Sequence, residues 1–177
     1  MIFASKSKSI AAVLVVAILA YTIPTVAQSY LEDQIQTEVS KDFNKQLNCL
    51  TNNIYFEAAT EPYEGKLAVA QVVLNRANNP NFPSTVCEVV YQRTYTPARA
   101  IVCQFSWTCL KNMAVRDKYA WEESEIVARK ALTQAKVHDR IASTNAMYYH
   151  ADYINPGWNH NKVVAKIGRH IFYAYDN

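Results

Sequence analysis

The sequence predicts an α+β domain, mainly helical with a small antiparallel sheet. Three observations lead there. Apolar residues recur at three- and four-residue spacings on both sides of Pro62. A third helical stretch, "KYAWEESEIVARKALTQAKV", covers residues 118–137. The C-terminal blocks "NAMYYHADYINPGW" and "KVVAKIGRHIFYAY" are rich in aromatic and β-branched residues, with a turn at residues 155–157. A chain of 177 residues is long enough for one ordinary domain.

The N-terminus has the pattern of an export signal. Lys6 and Lys8 precede the uncharged stretch "SIAAVLVVAILAYTI", Pro24 is expected to break it, and small residues follow up to Ala27. The apolar run is shorter than the ~20 residues of a spanning helix. Cleavage after Ala27 is the first expectation and a retained signal anchor the second. Residues 28–45, "QSYLEDQIQTEVSKDFNK", are polar and fit a linker or a loose helix. The folded domain is then residues 46–177. Export places it in the periplasm or cell envelope, with membrane contact only through the signal.

Four cysteines, Cys49, Cys87, Cys103 and Cys109, fit two disulfides in an oxidising compartment. No pair has zinc-site spacing, so no metal is expected. "IVCQFSWTC" alternates like a strand. Extended, it would hold Cys103 and Cys109 about 20 Å apart, while a disulfide needs Cα atoms within about 7 Å. The expected pairing is Cys49–Cys109 with Cys87–Cys103; Cys49–Cys103 with Cys87–Cys109 satisfies the same constraint.

Within the domain, Leu47, Leu50, Ile54 and Ala58 form the first stripe. That helix should stop near Thr60 or Glu61, because proline disfavours helical geometry in the residue before it. Pro62 suits the first turn of a second helix. Leu67, Ala70, Val73, Leu74 and Ala77 give that helix its apolar face, and Asn78, Asn79 and Pro80 end it. "FPSTVCEVVYQ" reads as a loop with one or two helical turns. "AIVCQFSWTCL" reads as a strand with Phe105 and Trp107 on one face and Gln104, Ser106 and Thr108 on the other.

Glu57 is the residue out of place. It lies seven after Leu50 and three after Ile54, on the apolar side of the helix and in its last turn. Burial and the negative end of the helix dipole both disfavour its ionised form. A carboxyl that keeps its proton near neutral pH suits general-acid work. The plainer reading is a helix-end acid turned to solvent or paired with Lys66 or Arg76. Glu61 and Glu64, beside Pro62, read as N-terminal acids of the next helix. Asn75 and Arg76 read as structural.

Five blocks, "NIYFEAATEPYEGKLAVAQVVLNR", "FPSTVCEVVYQ", "CQFSWTC", "YYHADYINPGW" and "KIGRHIFY", occur in the order and spacing of a known family. The chain resembles, over residues 47–173, the cell-wall hydrolases typified by the spore cortex-lytic enzyme SleB. All four cysteines fall in blocks that resemble its exported, cysteine-containing branch. The resemblance implies a lysozyme-related fold, peptidoglycan as substrate and lytic transglycosylase chemistry. It places the catalytic glutamate of "YFEA" at Glu57. One glutamate can then act as acid and base, because the substrate's own 6-hydroxyl replaces water. No cofactor is expected.

Candidate substrate contacts are Gln104 and Ser106 on the polar strand face and Tyr149, His150 and Tyr153 in the aromatic C-terminal block, which also holds Trp158. His150, His160 and His170 lack metal-binding spacing and read as single histidines, His150 being the best site candidate. A net charge of +3 gives no support for nucleic-acid binding. A monomer is expected. The rival readings are a hydrolysing muramidase or glucosaminidase, with Glu61, Glu64 or Asp152 as second carboxylate, and a non-catalytic wall-binding module.

Overall fold

The computed structural model describes the backbone of residues 5–134, 145–157 and 162–174, with side chains from residue 26 onward. Trp158 and His160 lie outside the described residues. The chain divides into two units, Met1–Phe43 and Asn44–Asn177. Helix α1 runs from Ser5 to Ala58 and continues through Pro24, where a break was expected. Residues 28–43 are thus helical, with Leu31, Ile35 and Val39 exposed. No helix among the described residues is long and apolar enough to cross a membrane.

In the second unit the stripe of α1 enters the core. Leu50 and Ile54 are fully buried, and Leu47 and Ala58 nearly so. Burying each such aliphatic side chain is worth roughly 1.5–3 kcal/mol. Pro62 stands just before α2 (Tyr63–Ala77) rather than inside its first turn. Every residue of α2 from Gly65 to Ala70, and again from Val72 to Leu74, is buried. It is a central helix, with far more than the single apolar face expected from its spacing. Helix α3 (Val86–Val90) follows, capped by the Thr85 side chain, which accepts from the Glu88 N–H.

β1 (Arg93–Tyr95) and β2 (Ile101–Cys103) form a two-stranded antiparallel ribbon. The expected long strand ends at Cys103. Ser106–Cys109 instead winds into a 3-10 turn, with the Thr108 N–H and hydroxyl both donating to the Phe105 carbonyl. Such a turn rises only about 2 Å per residue, so Cys103 and Cys109 come within 5.9 Å (Cα–Cα) and pair with each other. Cys49 pairs with Cys87 across 5.2 Å. Both expected pairings are therefore corrected, and for one reason. Phe105 and Trp107 are buried while Gln104 and Ser106 are exposed, so the alternation of burial is real but the backbone carrying it is not extended.

Helix α4 spans Lys118–Gln134; residues 135–137 of the expected helix lie outside the described residues. β3 (Ala146–Ala151), β4 (Lys162–Ile167) and β5 (His170–Ala174) form an antiparallel sheet in the order β3-β5-β4. The turn at residues 155–157 follows β3, but β3 and β4 do not pair; β5 lies between them. The tight hairpin is at Gly168, whose φ of +56° favours glycine. A Cβ there would also strike the Glu61 carboxylate. Phe172 is fully buried and clusters with Val69, Val72, Ala58 and Ala146, so the sheet packs on α2 and the end of α1.

Candidate active site

The last turns of α1 hold the surrounding elements through polar side chains. Asn52 accepts from the Trp121 indole of α4 (3.1 Å), and buried Asn53 accepts from the Trp107 indole (3.3 Å). The Tyr55 hydroxyl accepts from the Arg116 and Asp117 N–H groups just before α4 (3.0 Å each). Phe56 stacks on Trp107 with centroids 4.6 Å apart. Glu57 comes next, half-buried and one residue from the end of the helix.

Glu57 meets the sheet at Tyr149, whose hydroxyl donates to its Oε2 at 3.2 Å. Burial pushes the Glu57 carboxyl above the ordinary carboxylate range, and the Tyr149 hydrogen bond pulls the other way. Burial, and then the Glu57 charge, hold the Tyr149 phenol well above the usual tyrosine range. Tyr149 therefore stays a donor at neutral pH. This arrangement excludes the plainer reading of Glu57. Lys66 pairs with Glu123 at 2.7 Å, and Arg76 Nε donates to the Met147 carbonyl at 2.7 Å.

A bulge in β3 explains how Tyr149 is aimed. The β3–β5 register shifts between Ala146 and Tyr148. Asn75 donates to the Ala146 carbonyl at 2.8 Å and Arg76 to that of Met147, so α2 grips the bulge two side chains before Tyr149. Arg76 is buried, with its guanidinium 5.4 Å from the ring centres of Phe82 and Tyr148 and 5.7 Å from that of Phe105. Burial lowers its pKa, while Tyr149 and Tyr148 oppose the shift. Nη1 has no hydrogen-bond partner among the described residues.

Strand alternation sorts the remaining candidates. Tyr149 shares its face of the sheet with Phe172 and His170, the latter 5.1 Å away edge to face. Burial is the main influence that lowers the pKa of His170, opposed chiefly by Glu61 and Asp152. His150 lies on the opposite face, stacked on Tyr173, with Nε2 2.7 Å from the Tyr173 hydroxyl and Nδ1 2.8 Å from the Ala151 carbonyl. His170, read from the sequence as merely structural, is thus the histidine beside the site. Its two-residue offset from Phe172 on a strand is the signal that could have found it. Tyr153 is exposed under the Arg169 guanidinium, at 5.2 Å.

Gln104 and Ser106 are exposed beside the Phe105–Trp107 pair, and no hydrogen bond joins either to Glu57 among the described residues. Two of the other acids are occupied elsewhere. Glu61 accepts from the Arg169 N–H (2.9 Å), and Asp152 pairs with Lys166 (3.2 Å) and Arg169 (3.9 Å). Glu64 is exposed in the first turn of α2.

A mainly helical domain with a half-buried acid at a helix end facing a small sheet has the architecture of a lysozyme-like fold. The chain belongs to the cell wall hydrolase family, whose description matches residues 60–173. That match begins three residues after Glu57. The chain is 34% identical over 150 residues to the spore cortex-lytic enzyme of Oceanobacillus iheyensis, covering 83% of this chain and 44% of that protein. With the Bacillus subtilis spore cortex-lytic enzyme the identity is 30%, over 84% and 44% of the two chains. The chain thus spans less than half the length of these curated relatives. Among solved structures it resembles the catalytic domain of Bacillus cereus SleB (TM-score 0.54, 27% identity, 73% of this chain and 90% of that one). It also resembles the catalytic domain of the germination-specific lytic transglycosylase SleB from Bacillus anthracis (TM-score 0.53, 28% identity, 72% and 93%).

Proposed function

We propose that this chain cleaves the glycan strands of peptidoglycan between N-acetylmuramic acid and N-acetylglucosamine, as a lytic transglycosylase with Glu57 as its one acid and base. The observation that carries the proposal is the environment of Glu57. Burial raises its affinity for a proton, and a neutral phenol stands ready to donate to the carboxylate once that proton has gone. Glu57 gives its proton to the glycosidic oxygen as that bond breaks and positive charge develops on the muramic ring. The ionised carboxylate, held by the Tyr149 hydroxyl, then takes the proton of the muramic 6-hydroxyl. That oxygen attacks the anomeric carbon and closes a 1,6-anhydro ring. The nucleophile is part of the substrate, so proximity replaces an encounter with water.

Three further features support this reading. Glu61 and Asp152, two of the acids weighed as a second carboxylate, already have partners. One similar structure is named a lytic transglycosylase. The relatives named spore cortex-lytic enzymes make a wall polymer the natural substrate. Gln104, Ser106 and Tyr153 are the exposed groups proposed to contact the sugars. His150, on the far face of the sheet, would meet only a strand wrapping around its edge. The apolar N-terminal stretch is proposed to export the protein to the envelope. Digestion of purified peptidoglycan in oxygen-18 water tests the chemistry. Unlabelled anhydro ends, lighter than the hydrolytic products by one water, are expected. Labelled reducing ends would replace this reading with a hydrolysing muramidase or glucosaminidase.

A further inference from the structure

Residues 93–116 form a wing with an unusual surface. Its ribbon is only three residues per strand and pairs with no other sheet. Two-stranded ribbons of this size are marginal in water; here the Cys103–Cys109 bridge ties the second strand to the following turn. Along the wing Tyr95, Ile101, Val102, Leu110, Met113 and Val115 are between 41% and 72% exposed. Tyr95 and Ile101 face each other across the ribbon, and the disulfide draws the chain at Leu110 back toward Val102. Interleaved with them are Arg93, Arg99, Lys111 and Arg116, all exposed and none in an ion pair among the described residues. Between Glu88 and Asp117 the sequence has no acid. Arg99 sits at the ribbon tip with φ +60°, where glycine would be cheaper.

We propose that the outer part of this wing, away from Gln104 and Ser106 at its root, docks on an anionic phospholipid surface. Cations at headgroup level and aliphatic side chains reaching the acyl boundary are the two components of interfacial binding. All the exposed charge here has the sign that such a surface attracts. The apolar residues discriminate between this partner and the wall polymer, whose stem peptides are also anionic. Sugars are gripped by flat aromatic faces, yet five of these six side chains are aliphatic. Phe105 and Trp107, the wing's other aromatics, are buried at its root. This docking does not rest on the chemistry proposed for Glu57.

The test is sedimentation of the full chain with phosphatidylglycerol-containing and with neutral phosphatidylcholine vesicles. The N-terminal apolar stretch contributes equally in every variant, so the readout is the anionic preference. The pair Arg99→Glu with Lys111→Glu should lower that preference at least about tenfold, since each basic residue near such a surface contributes about 1 kcal/mol. Added salt should act in the same direction. The pair Ile101→Ser with Leu110→Ser should weaken binding to anionic vesicles while leaving its salt dependence. In Leu110→Trp, emission in excess of the native chain should be quenched by brominated acyl chains. Unchanged anionic preference in the charge pair, or no quenching of the new tryptophan, overturns the proposal. So does loss of binding to isolated sacculi with vesicle binding intact, which would assign the wing to the wall.

Discussion

Two parts of the Asn44–Asn177 unit are built on opposite plans. The Glu57–Tyr149 corner is held by packing: α1, α2 and the β3–β5 sheet converge on it, and Phe172, Val69 and Ala58 beneath it are essentially inaccessible to solvent. The wing of residues 93–116 has almost no core. Its strands are exposed on both faces, and its order comes from one covalent bridge, one ribbon and two aromatic anchors, Phe105 and Trp107. A carboxylate whose proton affinity is set by burial needs the first plan, because a flexible wall would readmit water. A surface that meets a partner needs the second. The difference should appear in how each region responds to substitution.

The largest effect belongs to the packed corner. Glu57→Gln should reduce clearing of a peptidoglycan suspension by about a hundredfold to ten-thousandfold, the usual contribution of general acid–base assistance. Its stability should move the opposite way. A carboxyl whose pKa is raised on folding favours the fold fully below its unfolded pKa, and that benefit is lost as pH rises through the folded value. The amide does not titrate. The variant should thus match the native chain in thermal unfolding below about pH 4 and exceed it at pH 7. Near-normal clearing by a folded Glu57→Gln protein would remove Glu57 from the chemistry.

The disulfides separate the two plans directly. Cys49–Cys87 closes a loop with a sequence separation of 38, and Cys103–Cys109 one of 6. Loop-closure entropy assigns about 4 kcal/mol to the first and about 2 kcal/mol to the second. Serine replacement of the first pair should lower the denaturant midpoint of the whole domain by the larger amount. Replacement of the second should cost less globally and should free the wing to proteolysis first. Equal global losses would mean that the wing folds as part of the core. Non-reducing peptide mapping checks the pairing itself.

Arg76 lies on the boundary, with its guanidinium touching Phe105 from the wing's root and Tyr148 from the sheet. Arg76→Ala removes the donor to the Met147 carbonyl, three ring contacts and a buried side chain together. A loss of about 3 kcal/mol is expected from urea unfolding. Arg76→Lys should recover only part of it, since an ammonium cannot present the planar fork. A loss under about 1 kcal/mol would show that the bulge is held without it.

The same contrast decides what could be read from the sequence. The α1 stripe, the α3 turn and the α4 helix were legible because helical periodicity and burial coincide there; α2 was legible as a helix, but its burial goes well beyond the one face its spacing showed. The place of Glu57 on the inner side of α1 was legible from that periodicity: an acid interrupting a stripe is visible only where the stripe is regular. The wing defeated the reading because Phe105 and Trp107 bury at a two-residue spacing, which a strand produces and a turn followed by a 3-10 segment reproduces. Once the segment was taken as extended, the pairing of Cys103 with Cys109 was excluded by its own geometry. The role of Arg76 was hidden for another reason. A long polar side chain at the end of a helix carries no local sign that a bulge seventy residues away will offer it a carbonyl. His170 differs: its two-residue offset from Phe172 on a strand was readable, but nothing local says that this face of β5 meets Tyr149 of the earlier strand β3.

The smallest effect tests the hydrogen bond that joins Glu57 to the sheet. Tyr149→Phe keeps the ring against Phe172 and His170 and removes only the hydroxyl that donates to Glu57. At 3.2 Å this is a long hydrogen bond to a group that becomes charged during the reaction. Its loss should cost about tenfold in turnover, at the low end for a hydrogen bond to an ionised partner. The sign of the pH effect is the sharper observation. The bond favours the ionised carboxylate, so removing it leaves burial unopposed and raises the proton affinity of Glu57 further. The alkaline limb of the activity profile, where the acid loses its proton, should therefore move to higher pH as the maximum falls. A fall without that movement would give Tyr149 a role in sugar contact alone. A movement to lower pH would mean that the phenol had been stabilising the protonated acid, and the direction of the hydrogen bond proposed here would have to be reversed.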